Sequence, residues 1–142
     1  DLQSIADKRE KLQQAVGYLK TLRNKGEQAI KEDGLLEGSI LYYLIIGIEV
    51  ITDIGAHILL EEGLGRPKEY EEIIVMLGEK GVVQSDLAQR NSGMGKFRNK
   101  AIHGYTGLNL DNVLEYLQKA PEEFLAFDRA FDDFLKKQKK KK

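Results

Sequence analysis

The stretch from Leu36 to Glu62, LEGSILYYLIIGIEVITDIGAHILLEE, decides how this chain folds. It is too long for a strand. Ile40, Leu41, Leu44, Ile45, Ile46, Ile48, Val50, Ile51, Ile54, Ile58, Leu59 and Leu60 cover most of the circumference of a helix, the pattern of an element buried on nearly all sides. Such a helix belongs at the centre of a bundle. The run approaches membrane-spanning length, but Glu49, Asp53 and His57 interrupt it and glycines loosen it, so no membrane span is expected. Those three residues are four apart, and each step of four advances only about 40° around a helix, so they form one stripe. The stripe either faces the cationic 96–105 segment, with Asp53 or Glu49 orienting Arg98 or His103, or reaches solvent or a subunit interface. It also has the spacing of a metal site, although no second helix supplies a matching Glu-x-x-His pair.

Working outward, Leu2, Ile5, Leu12, Val16, Leu19, Leu22 and Ile30 recur mostly at three, four or seven and predict an amphipathic helix from Leu2 to Lys31, capped by Gly34. Beyond the central stretch, Gly63, Gly65 and Pro67 break the chain, and Pro67 suits the first position of a short helix carrying Tyr70, Ile73, Ile74 and Leu77. Ser85 is the candidate N-cap of a further helix running to His103. Gly93 and Gly95 inside it each cost about 1 kcal/mol relative to alanine, which calls for a close backbone approach or a local break. Asp111 can cap the last helical region, and Pro121 is expected to divide it. Phe124, Phe127, Phe131 and Phe134 form a stripe, read as core against the first or second helix or as a partner-binding surface. No strand alternation appears. The expected fold is an all-α, antiparallel helical bundle of about five helices, with one domain over residues 1–135.

The 142 residues are enough to bury a core without staples, and the absence of cysteine excludes disulfides and thiolate metal sites. Six of the 22 basic residues are Lys136, Lys137, Lys139, Lys140, Lys141 and Lys142, a tail without acid that reads as solvated and disordered over 136–142. Residues 1–135 then carry sixteen basic against 23 acidic residues, net −7. An acidic body repels polyanions, so nucleic-acid binding would need a local basic patch or the tail. Asp1 opens a charged stretch without the apolar segment of a secretion signal, and a cytoplasmic location is expected.

One segment concentrates chemistry: Lys96-Phe97-Arg98-Asn99-Lys100-Ala101-Ile102-His103-Gly104-Tyr105. Arg23-Asn24-Lys25 repeats its central triplet, but no histidine or tyrosine follows at a comparable distance. Arg98 and His103 are five apart, about 140° around a straight helix and roughly 7.5 Å along it. To act together they need a distorted helix end, a reaching arginine or a second chain across a twofold axis. Gly104 can end the helix in the left-handed conformation and leave His103 in the final turn. Read without chemistry, Arg98 salt-bridges Asp53 and His103 caps the helix.

The pattern Arg98-x4-His103-x-Tyr105, with Asn99 after the arginine, resembles the signature of the HepT branch of the HEPN superfamily. The resemblance extends over roughly residues 36–135 and takes in the apolar helix, the Gly65-Arg66-Pro67 turn, Tyr70, Ile73 and Phe97. Gly104 departs from it, since that branch more often carries a larger residue there. The resemblance implies a HEPN-like bundle and a metal-independent endoribonuclease toxin without cofactor. Arg98 and His103 would be catalytic, Asn99 and Asp53 supporting, and Lys96 and Lys100 would contact RNA. It further implies a homodimer whose two Arg-His sets share a cleft, and a cognate nucleotidyltransferase antitoxin that silences the toxin by adenylylating Tyr105. A second reading is a noncatalytic helical protein that docks a nucleotidyltransferase through the phenylalanine stripe.

Overall fold

In the computed structural model, which describes residues 2–104 and 108–141, the apolar stretch forms the central helix α3 (Gly34–Glu61). Before it come α1 (Leu2–Arg23) and α2 (Glu27–Glu32). After it come a 3-10 turn (Tyr70–Glu72), α4 (Ile73–Glu79), α5 (Ser85–Arg90), α6 (Met94–His103) and α7 (Leu110–Lys141). Among the described residues there is no strand, and the all-α bundle stands. The elements outnumber the expected five because glycine-bearing junctions split two long helices.

The first split falls at Gly26, whose φ of 90° interrupts the expected Leu2–Lys31 helix. Gly34 is therefore not a C-terminal cap. It is the first residue of α3, and the Asp33 side chain caps that helix by accepting from the Leu35 N–H at 2.9 Å. The second split separates α5 from α6 at Asn91–Gly93, so Gly93 marks a break in the predicted 86–103 helix, while Gly95 lies inside α6. Ser85 lies inside α5 and supplies no cap bond. Pro67 precedes the 3-10 turn without starting a helix.

Helix α1 runs against both long partners. Arg9 donates to Asp128 at 2.8 Å and Arg23 to Glu122 at 2.6 Å, which sets α1 antiparallel to α7. Tyr18 stacks on Tyr43 with centroids 4.8 Å apart, at the same level of α3. Gly47 of α3 receives the ring of Phe124, whose Cε2 would lie 2.3 Å from any Cβ added there. That contact fixes the level at which α3 meets α7. Phe124, Phe127 and Phe131 are fully buried with Ile40, Leu44, Ile48, Ile51, Ile54 and Ile58. Three of the four stripe residues are therefore core, and Phe134 is partly buried against it.

Pro121 does not divide α7, which is continuous from Leu110 to Lys141. The ring is buried, and Arg23 donates to the Gln118 carbonyl next to this point at 3.1 Å, so a neighbouring helix serves a backbone group beside the missing N–H. The N-cap of α7 is Asn109, not Asp111. Asn109 Oδ1 accepts from the Asn112 N–H at 3.0 Å and Asn112 Oδ1 accepts from the Asn109 N–H at 3.2 Å, a reciprocal capping box. Lys136 to Lys141 continue the helix where composition alone suggests disorder. Lysine is a good helix former and favours a helix C-terminus, and Lys136 pairs with Asp132 while Gln138 bonds Glu62.

Among the described residues only α3 is long and apolar enough to cross a membrane, and its buried side chains pack among α1, α4, α6 and α7.

Candidate active site

Helix α6 projects Arg98 toward α3 and leaves His103 at its exposed end. The Arg98 side chain is 28% exposed, and three different groups hold its guanidinium. Nη2 and Nε lie 3.3 and 3.4 Å from Glu49 Oε1. Nη1 donates to Asn99 Oδ1 at 3.0 Å, and Cζ stands 4.6 Å from the centroid of the Tyr70 ring. The Glu49 contacts are long and its side chain is 37% exposed, so solvent screens the pair and leaves it exchangeable.

The carboxylate on Arg98 is therefore Glu49; Asp53, one turn further along α3, is exposed. The polar stripe of α3 divides along its length. Glu49 faces the motif, while His57 lies 3.9 Å from Glu61 at the far end, beside a 680 Å³ cavity lined also by Ile5, Arg9 and Leu135. The three do not converge, and among the described residues no cluster of His, Asp and Glu could hold a metal ion.

Tyr70 is fixed as firmly as the arginine it supports. Its hydroxyl lies 2.7 Å from Thr52 Oγ1, which lies 2.9 Å from the Ile48 carbonyl and 3.1 Å from that of Glu49. Carbonyls only accept, so the single Thr52 proton goes to the backbone and Tyr70 donates to Thr52. Burial pushes the Tyr70 phenol above its ordinary value, against the opposing effect of the Arg98 charge. Gly95 makes this packing possible. A Cβ there would stand 3.1 Å from Glu71 Cα and 3.3 Å from Tyr70 Cδ1, so the close backbone approach foreseen at this glycine occurs within one chain.

His103 ends α6, and Gly104 follows at φ 63°, ψ 27° in the left-handed conformation, its N–H donating to the Lys100 carbonyl at 3.1 Å. The helix is regular between Arg98 and His103, so the two stay about 140° apart within one chain. Lys96 and Lys100 are exposed on the same helix. Tyr105 lies outside the described residues. Arg90 bonds Glu123 at 2.8 Å and Asp86 at 3.2 Å. In the repeated triplet, Arg23 is a structural ion pair.

Sequence reasoning assigned no role to Tyr70 or Thr52. A tyrosine after a Gly-Pro turn carries no periodic mark, and a cation–π contact between distant segments has no spacing signature. Held this way, Arg98 offers a preset cation to an anionic group, and His103 offers a titratable ring at a helix end.

Comparison with known proteins agrees with this chemistry. The profile of the family described as Ribonuclease HepT-like matches residues 10–131. The mRNA nuclease HepT of Shewanella oneidensis is 28% identical over 123 residues, covering 87% of this chain and 92% of that protein. The structure of the tri-AMPylated HEPN toxin of Shewanella oneidensis, in complex with an MNT antitoxin, superposes with a TM-score of 0.83 at 26% identity, over 91% of this chain and 96% of that one. A toxin–antitoxin crystal structure with AMP-PNP gives a TM-score of 0.79 at 26% identity, over 89% and 96% of the two chains.

Proposed function

Because this chain belongs to the HepT-like ribonuclease family, we propose that it is an endoribonuclease toxin that cleaves RNA with Arg98 and His103 and is silenced by a nucleotidyltransferase antitoxin. The observation that carries the reading is the guanidinium of Arg98, held by Glu49, Asn99 and Tyr70 on the helix that His103 ends. A ribose 2′-hydroxyl attacks the adjacent phosphorus, its proton passes to an imidazole, and the 5′-oxygen leaves with a proton from an imidazole. Arg98 stabilises the charge that builds on the phosphoryl oxygens. Lys96 and Lys100 attract the RNA backbone, Asn99 orients Arg98, and Asp53 stands by as a second carboxylate. No metal takes part.

Two imidazoles are wanted, one as base and one as acid, and the separation of Arg98 from His103 on a straight α6 favours two chains. The proposed assembly is a homodimer in which Arg98 of one protomer works with His103 of the other. Acting on RNA, it works in the cytoplasm. Tyr105 is the proposed acceptor of AMP, a reading supported by the AMPylated state of the Shewanella toxin.

The test incubates purified protein with total RNA and a chelator. Wild type should cleave; Arg98→Ala and His103→Ala should not, while both stay folded. An inert wild type would overturn the enzyme reading. Sedimentation showing only monomer at micromolar concentration would overturn the shared cleft.

A further inference from the structure

We propose that Tyr70 is a positioning residue for this reaction, holding the Arg98 guanidinium in place from a ring that Thr52 anchors to the backbone of α3. The inference rests on Arg98 being the phosphate-binding cation. Its ground is a difference between the groups that hold that side chain. Glu49 and Asn99 occupy N–H donors of the guanidinium, and those donors are what a phosphate needs. The Tyr70 ring, 4.6 Å from Cζ, is met through its π-face and takes none of them. When RNA arrives and displaces Glu49, the ring still holds the cation.

A support of this kind must not move, and the contacts on Tyr70 provide for that. Its hydroxyl donates to Thr52 at 2.7 Å, Thr52 donates to the Ile48 carbonyl at 2.9 Å, and Ile48 is fully buried. The ring edge meets Gly95, three residues before Arg98 and so on the same face of α6, where any Cβ would stand 3.3 Å from Cδ1. Geometry therefore runs from the core of α3 through Thr52 and Tyr70 to the reacting cation.

The experiment compares wild type with Tyr70→Leu, Tyr70→Phe and Thr52→Val, measuring kcat and KM on RNA and the NMR shifts of the Arg98 Nε–Hε group. In wild type the ring current moves the Arg98 signals upfield. Tyr70→Leu should abolish that shift and lower kcat by about tenfold with little change in KM. Tyr70→Phe, which keeps the ring, should retain the shift and stay within about threefold of wild type. Thr52→Val should fall between them. Should Tyr70→Leu not fold, Tyr70→Met fills similar space without a ring and takes its place. Wild-type kcat in the ringless variant, or equal damage in Tyr70→Phe, would overturn the proposal. So would a loss that merely follows the fraction of folded protein. If wild type cleaves no RNA, the ribonuclease reading fails separately, and the Arg98 shifts still decide whether Tyr70 holds the side chain.

Discussion

Arg98 and Glu49 meet across the α6–α3 interface with Nη2 and Nε 3.3 and 3.4 Å from one carboxylate oxygen, and the carboxylate stands where a phosphate would compete for the same donors. Glu49→Gln keeps an acceptor for Arg98 but removes the negative charge that RNA must approach. KM for RNA should fall by roughly two- to fivefold at low salt, with kcat little changed, and the gain should shrink as ionic strength rises. Steady-state kinetics at two salt concentrations check this. A higher KM in Glu49→Gln would show that the carboxylate does not compete with substrate.

Tyr105 follows His103 and Gly104 in sequence. Each AMP added there brings a phosphate that can pair with Arg98 or Lys96, together with bulk in the path of RNA. Tyr105→Phe should retain most of the cleavage activity and escape neutralisation. Intact mass after incubation with a cognate nucleotidyltransferase, ATP and magnesium is the measurement. AMP-sized increments that persist in Tyr105→Phe would reassign the acceptor.

The level at which α3 meets α7 depends on the missing side chain of Gly47. Gly47→Ala would drive a methyl to within 2.3 Å of the Phe124 ring and should cost about 1–3 kcal/mol in thermal or denaturant unfolding. Gly17 on α1 is the control, since nothing lies within 4 Å of a Cβ built there. Gly17→Ala should stabilise by about 0.5–1 kcal/mol. Equal effects from the two substitutions would mean that the close approach of Phe124 does not fix how the helices meet.

The pH dependence of stability should carry a contribution from Glu123. It accepts from Arg90 Nε at 2.8 Å and from Asn91 Nδ2 at 3.3 Å, and the Arg90 bond above all holds its carboxyl below the ordinary value. A carboxyl with a lower pKa folded than unfolded contributes stability that is complete above its unfolded pKa, about 4.3. That contribution is lost as the pH falls through the folded value. Glu123→Gln should lower the melting temperature near neutral pH and narrow the difference from wild type in acid. A constant difference between pH 7 and pH 3 would remove Glu123 from the acid response.

What could be read in the chain follows the range of the forces involved. The apolar circumference of Leu36–Glu62 declares a central helix because burial leaves a periodic trace, and the left-handed Gly104 after His103 follows from local sterics. Gly26, the Asn109–Asn112 box and the unbroken course of α7 past Pro121 escaped, since none of them leaves a periodic trace in the sequence. The same holds in the site. Arg98, Asn99 and His103 stand out by spacing, but the choice of Glu49 over Asp53 turns on which turn of α3 lies opposite Arg98. Tyr70 gave no signal because its role is made by contacts with two other helices.

The Thr52 hydroxyl is bonded to its own helix between Ile48 and Ile51, both fully buried, while its other side faces Tyr70. The wall of the hydrophobic interior and the support of the Tyr70 ring are therefore the same two turns of backbone. Trimming Ile48 or Ile51 would let those turns sag, and turnover would suffer although no atom touching RNA had changed. Foldedness and reactivity are inherited together in this chain. On the proposed roles of Tyr70 and Arg98, drift in sequence through the middle of α3 is screened twice, once by packing and once by catalysis.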